Sequence, residues 1–182
     1  MPSRKTIRSM LAGGDRRSIG RSDEVAELVA RCPEEVVELV ECLWDPDPRI
    51  CMRAADAMEK ASRGKGALLQ AHKMELLGLL AEAEQQEVRW HLAVMVPRLR
   101  LTVPERRRVV KLLQIYLEDR SSIVKTFAMQ GLADLALEDP ALRPMITELI
   151  RSVARTGTPA MRARGRKILR QLEQAPERRE DS

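Results

Sequence analysis

Val124-Lys125-Thr126-Phe127-Ala128-Met129-Gln130-Gly131-Leu132 opens on an apolar residue and places small or apolar residues four, five, seven and eight positions later. That is the spacing of one face of an α-helix. The pattern recurs at Ile50-Cys51-Met52-Arg53-Ala54-Ala55-Asp56-Ala57-Met58 and at Val88-Arg89-Trp90-His91-Leu92-Ala93-Val94-Met95-Val96. A fourth copy, Met161-Arg162-Ala163-Arg164-Gly165-Arg166-Lys167-Ile168-Leu169, is broken only by Arg166. The copies start at 50, 88, 124 and 161, so they lie 38, 36 and 37 residues apart. Even spacing through four copies indicates a repeat array, in which no unit buries its apolar face alone.

A second helical pattern precedes each copy, over 34–43, 67–81, 104–117 and 140–154. Thr102-Val103-Pro104-Glu105 has the form of a capping box. Asp139-Pro140 and Thr158-Pro159 put a capping side chain before a first-turn proline. Asp45, Asp119 and Thr156 stand five residues before their copies and make turns inside the helix pairs; the second pair has Ala83 there. Pro97 lacks an N–H, so a kink or early end is expected late in the helix that carries it. The units are helix–turn–helix pairs at about 34–61, 67–100, 104–137 and 140–172.

Composition agrees with this reading. Of 182 residues, 44% are hydrophobic, 32% are charged and only 2% are aromatic, namely Trp44, Trp90, Tyr116 and Phe127. An all-β fold normally draws on more aromatics. No run of 18 apolar residues marks a membrane span, so no membrane partner is expected. The start, Ser3-Arg4-Lys5-Thr6-Ile7-Arg8, reads as no signal peptide, and Cys32, Cys42 and Cys51 as buried reduced thiols; a cytoplasmic location is expected. Charge is uneven: +5 over 1–21, −4 over 22–154, +6 over 155–171 and −2 over the last eleven residues.

The chain resembles the HEAT and HEAT-like repeat family over roughly 34–172. The likeness rests on the turn acids Asp45 and Asp119, on Val88-Arg89 and Val124-Lys125, and on the small-residue cores 54–58 and 128–132. Cys51 departs from it, standing where Arg or Lys is usual. The resemblance implies an all-α fold, a right-handed α-solenoid of about four hairpins, with residues 23–31 as an N-terminal capping helix. Residues 22–172 then form the repeat domain, 1–21 a basic mobile segment, and 173–182 a charged tail. Gly64-Lys65-Gly66 lacks the Walker spacing and reads as a flexible linker.

Such solenoids line their concave face with the second helix of each pair. Positions two, three and six after each copy's start give the candidate groove: Arg53, Asp56, Trp90, His91, Phe127, Gln130, Arg164 and Lys167, beside Met52, Val94 and Thr126. Aromatics, arginine and an amide together are the side chains that anchor a protein partner. His72 and His91 are the only histidines, no metal-ligand spacing occurs, and no nucleophile elbow is present. The expected function is a non-enzymatic scaffold or adaptor for protein–protein interaction, without cofactor or metal. The alternative is nucleic-acid binding through the basic N-terminal segment and C-terminal helix. A likeness to alkylpurine DNA glycosylases, also HEAT-like, makes Asp56, Trp90 and Phe127 loose counterparts in that case.

Overall fold

A computed structural model describes residues 6–13 and 18–176, and these are all-helical, without a strand. The helices, taken as consecutive pairs, are α1 (Ile7–Leu11) and α2 (Ser22–Arg31), α3 (Val36–Glu41) and α4 (Pro48–Ala61), and α5 (Lys73–Glu82) and α6 (Gln86–Met95). They continue with α7 (Val103–Tyr116) and α8 (Ser122–Glu138), then α9 (Arg143–Thr156) and α10 (Pro159–Gln174). Short 3-10 turns at Pro33–Glu35, Gly66–His72 and Pro140–Leu142 lead into three of the first helices.

The punctuation works as its chemistry requires. Thr102 accepts from the Glu105 N–H while the Glu105 carboxylate accepts from the Thr102 N–H, closing the capping box of α7. Asp47, Ser121 and Thr158 cap α4, α8 and α10 through their side chains. Proline ends α6: the helix stops at Met95, and Val96–Arg98 continues as a 3-10 turn.

The turn acids serve two purposes at once. Asp119 accepts from the Ser121 N–H inside its turn and from Arg89 of the preceding pair. Asp45 does the same with the Asp47 N–H and Arg8. Where Ala83 replaces the acid, Gln85 reaches back to the Pro48 carbonyl, so the link between pairs survives by another route. Cys51 is accounted for similarly. Its thiol donates to the Asp45 carbonyl six residues earlier, as Arg89 donates to that of Ala83.

The second helices form one row, α4 against α2 and α6, α6 against α8, and α8 against α10. Ile50, Ala54, Ala55, Ala57 and Met58 are buried, as are Val88, Leu92, Ala93, Met95 and Val96. Val124, Ala128, Met129 and Leu132 repeat that burial; in the last copy Met161 and Ile168 are buried and Arg166 is exposed. Glycine matters where backbones meet. A Cβ at Gly165 falls 2.6 Å from that of Ala154, and one at Gly131 collides with the Ala93 carbonyl oxygen.

Three expectations need correction. Residues 1–21 do not all lie outside the fold: Ile7, Met10 and Leu11 are buried, and α1 packs on α2, α3 and α4. Their apolar stripe spans only five residues, too short to stand out among glycines and arginines. Arg4, Lys5, Arg16 and Arg17 lie outside the described residues. The capping helix at 23–31 is therefore α2 of a further, shorter pair rather than a lone cap. In the linker Gly64-Lys65-Gly66 the first two residues are exposed and Gly64 takes a φ of 66°; just before it Ser62 is fully buried, and Arg98 donates to its hydroxyl. Of the proposed tail, Glu173 and Gln174 are the end of α10, and Arg143 donates to the Ala175 and Pro176 carbonyls.

Candidate functional site

Residues one helical turn apart on α4, α6 and α8 come side by side because these helices pack in sequence. Between them lies a depression of about 370 Å³. Its lining includes Arg53 and Asp56 from α4, Trp90 and His91 from α6, and Phe127 from α8. Met52, Ile123 and Ile19 complete the apolar part, the last two being 45% and 44% exposed. Trp90 and Phe127 stack with ring centres 6.4 Å apart and planes at 25°, and His91 tilts against Trp90 at 5.6 Å. Both aromatics are half-buried, resting on the core while keeping a free face.

The polar members have separate duties. Asp56 accepts from the Ser22 hydroxyl and, at 2.6 Å, from the Lys60 ammonium, which also bonds Asp23. His91 Nε2 stands 3.9 Å from Asp56 Oδ1. Burial pushes the imidazole down to about 4, outweighing the nearby Asp56 and Glu59, so the ring is neutral at pH 7. In this Ser22–Asp56–His91 grouping the carboxylate, rather than the imidazole, takes the hydroxyl's hydrogen bond. The arrangement therefore differs from a hydrolase triad, in which the histidine accepts from the hydroxyl.

Arg53 departs most from expectation. It is 1% exposed, and its guanidinium donates to the carbonyls of Leu11 (2.7 Å), Gly13 and Ser18 (3.0 Å). Gly20, at a φ of 58°, packs against it, and a Cβ there would lie 3.0 Å from Arg53 Cζ and Nε. The side chain predicted to meet a partner thus binds this chain's own N-terminal segment. Sequence position showed that it faces away from the α4–α6 core, and nothing in the repeat pattern showed what would cover it.

Glu59 and Arg63 also line the depression and were missed, as was Arg98, which bonds Glu59 from beside it. Burial alone raises the Glu59 carboxyl, but Arg63 at 2.7 Å and Arg98 together hold it below the ordinary range. The Glu59/Arg63 spacing of four was the available signal. Gln130 lies beyond the depression, donating to Asp134 and accepting from Arg164 of α10 at 3.1 Å. Lys167 is exposed one turn farther along α10. The eight predicted residues therefore divide: five border the depression, while Gln130, Arg164 and Lys167 continue beyond it toward α10.

Among the described residues no group of three His, Cys, Asp or Glu side chains is placed to hold a metal ion. No helix among them is long and apolar enough to cross a membrane. No family model and no curated protein matches the chain.

Proposed function

We propose that the chain is a HEAT-like α-solenoid acting as a cytoplasmic, non-enzymatic scaffold, with a protein segment bound along the row of second helices. The observation that carries this is the stacked Trp90–Phe127 pair, half-buried and bordered by Met52, Ile123 and Ile19. Aromatic and methionine side chains in a depressed, apolar patch are what interface centres are made of. The test is recovery of partners from the source cells by wild type and by a Trp90→Ala/Phe127→Ala variant. Loss of specific partners, with helicity unchanged by circular dichroism, supports the groove. Identical recovery refutes it.

A second reading, nucleic-acid binding, is favoured by the exposed Arg162, Arg166, Lys167 and Arg170 on α10 and by Arg107, Arg108 and Lys111 on α7. It predicts a log–log salt slope of about −5 on duplex DNA if roughly six phosphates are contacted. In a repair-glycosylase version, the needed carboxylate, Asp56, is already bonded to Lys60 and Ser22. Failure to bind duplex DNA at about 50 mM salt ends this reading.

A further inference from the structure

The partner's chemistry can be narrowed from the charges that border the aromatic pair. Glu59 sits between two guanidiniums, Arg98 and Arg63, although one suffices to neutralise it. Arg98 is the more enclosed, with 24% of its side chain exposed, whereas Arg63 at the mouth of the depression is 64% exposed. Beyond Phe127 the surface continues through Gln130 to Arg164 and then to exposed Lys167. The carboxylate on that side, Asp134, lies close enough to Arg98 and Arg164 to feel both, and it is bonded to Gln130. The lining itself is balanced, Arg53 and Arg63 against Asp56 and Glu59, and Lys60 offsets Asp23; Arg98 offsets Asp134, so the cations exceed the carboxylates through Arg164 and Lys167. The surplus comes from Arg164 and Lys167, which belong to the 155–171 segment that carries +6.

We propose that the groove takes an acidic amphipathic segment of a partner protein. Apolar side chains of that segment seat against Trp90 and Phe127, while its carboxylates meet Arg63 at one end and Arg164 and Lys167 at the other. This rests on the groove reading above. A cationic segment meets like charge at both ends, and neighbouring like charges impose a cost on the wrong partner. A neutral segment gains the apolar contacts alone.

The test uses three fourteen-residue amphipathic peptides with the same leucine and phenylalanine face, carrying glutamate, glutamine or lysine on the polar face. The full chain carries Trp44→Phe, so that its emission comes from Trp90. The glutamate peptide is expected to change Trp90 fluorescence and bind at least tenfold tighter than the glutamine peptide at about 50 mM salt, with the advantage shrinking at about 500 mM. Arg63→Gln is expected to remove several-fold of that advantage and leave the glutamine peptide's affinity unaltered. Equal or tighter binding of the lysine or glutamine peptide, with the same fluorescence change, overturns the charge assignment and leaves the groove standing. A duplex oligonucleotide that changes the signal at lower concentration than the glutamate peptide assigns the cations to nucleic acid instead. No change with any ligand overturns both the assignment and the groove.

Discussion

Replacing Gly131 with alanine measures how closely α6 and α8 are required to approach. The added Cβ lands inside the van der Waals envelope of the Ala93 carbonyl oxygen and 3.1 Å from Leu113 Cδ1. The leucine can turn aside, but the carbonyl belongs to a helix backbone and moves only if the helix moves. Overpacking of this kind costs about 1–3 kcal/mol, and a backbone obstacle places it near the upper end. Alanine returns about 1 kcal/mol through its better helix propensity. The net loss is about 2 kcal/mol, and at roughly 2–4 °C per kcal/mol in a chain of this size the melting temperature falls by roughly 4–8 °C. Gly78→Ala is the control: it lies inside α5 with nothing within 4 Å of the new Cβ, so only the propensity gain applies. That variant should melt about 2–4 °C higher. Thermal unfolding by circular dichroism reads both. A Gly131→Ala protein melting at or above wild type refutes the argument from close approach.

Arg53→Ala leaves the Leu11, Gly13 and Ser18 carbonyls without their shared donor and should cost about 3 kcal/mol in urea unfolding, with faster tryptic cleavage at Arg21; an unchanged cleavage rate contradicts the assigned clamp. Asp119→Ala removes both the Ser121 turn bond and the Arg89 link, and should cost about 1–2 kcal/mol by the same measurement. His91 is held neutral with a value near 4 against 6.5 in the unfolded chain, so the folded state binds fewer protons between those values. Its contribution is complete above pH 6.5 and is lost as pH falls toward 4, up to about 3 kcal/mol in all. His91→Gln should flatten the stability profile across that window, and an equal slope in both proteins contradicts the burial argument.

The apolar face of each second helix was legible because backbone periodicity fixes it. Ile50, Val88, Val124 and Met161 recur at nearly constant spacing, and all four are buried. Chain ends and long polar side chains were not legible in this way. The Ile7–Leu11 helix is one turn and a half long, and its three apolar residues make no period that could be matched to the others. Arg53 and Trp90 sit at similar positions relative to their copies, yet one is sealed under the N-terminal segment and the other keeps an open face. Position within the repeat specifies a direction. What lies in that direction depends on whether another segment of chain arrives there, and for Arg53 one does. Glu59 was missed for a related reason: its two partners are four and 39 residues away, and only the nearer belongs to a local pattern.

Side-chain hydrogen bonds between distant segments run from Arg89–Asp119, 30 residues apart, to Arg53–Leu11, 42 residues apart. These spans are close to the spacing of the copies, so these bonds join helix pairs that adjoin in the chain. The aromatic pair at the groove obeys the same rule. Trp90 lies one turn before Ala93 on α6, and Phe127 one turn before Gly131 on α8. The contact between Ala93 and Gly131 that sets the helix spacing thereby also sets the separation of the two rings. Gly131→Ala should accordingly pry Trp90 and Phe127 apart as well as lower the melting temperature. A shift in Trp90 emission in the folded variant carrying Trp44→Phe, before any ligand is added, reports that movement. If the emission stays fixed while stability drops, the rings are positioned by their own packing on the core, and the glycine serves the core alone.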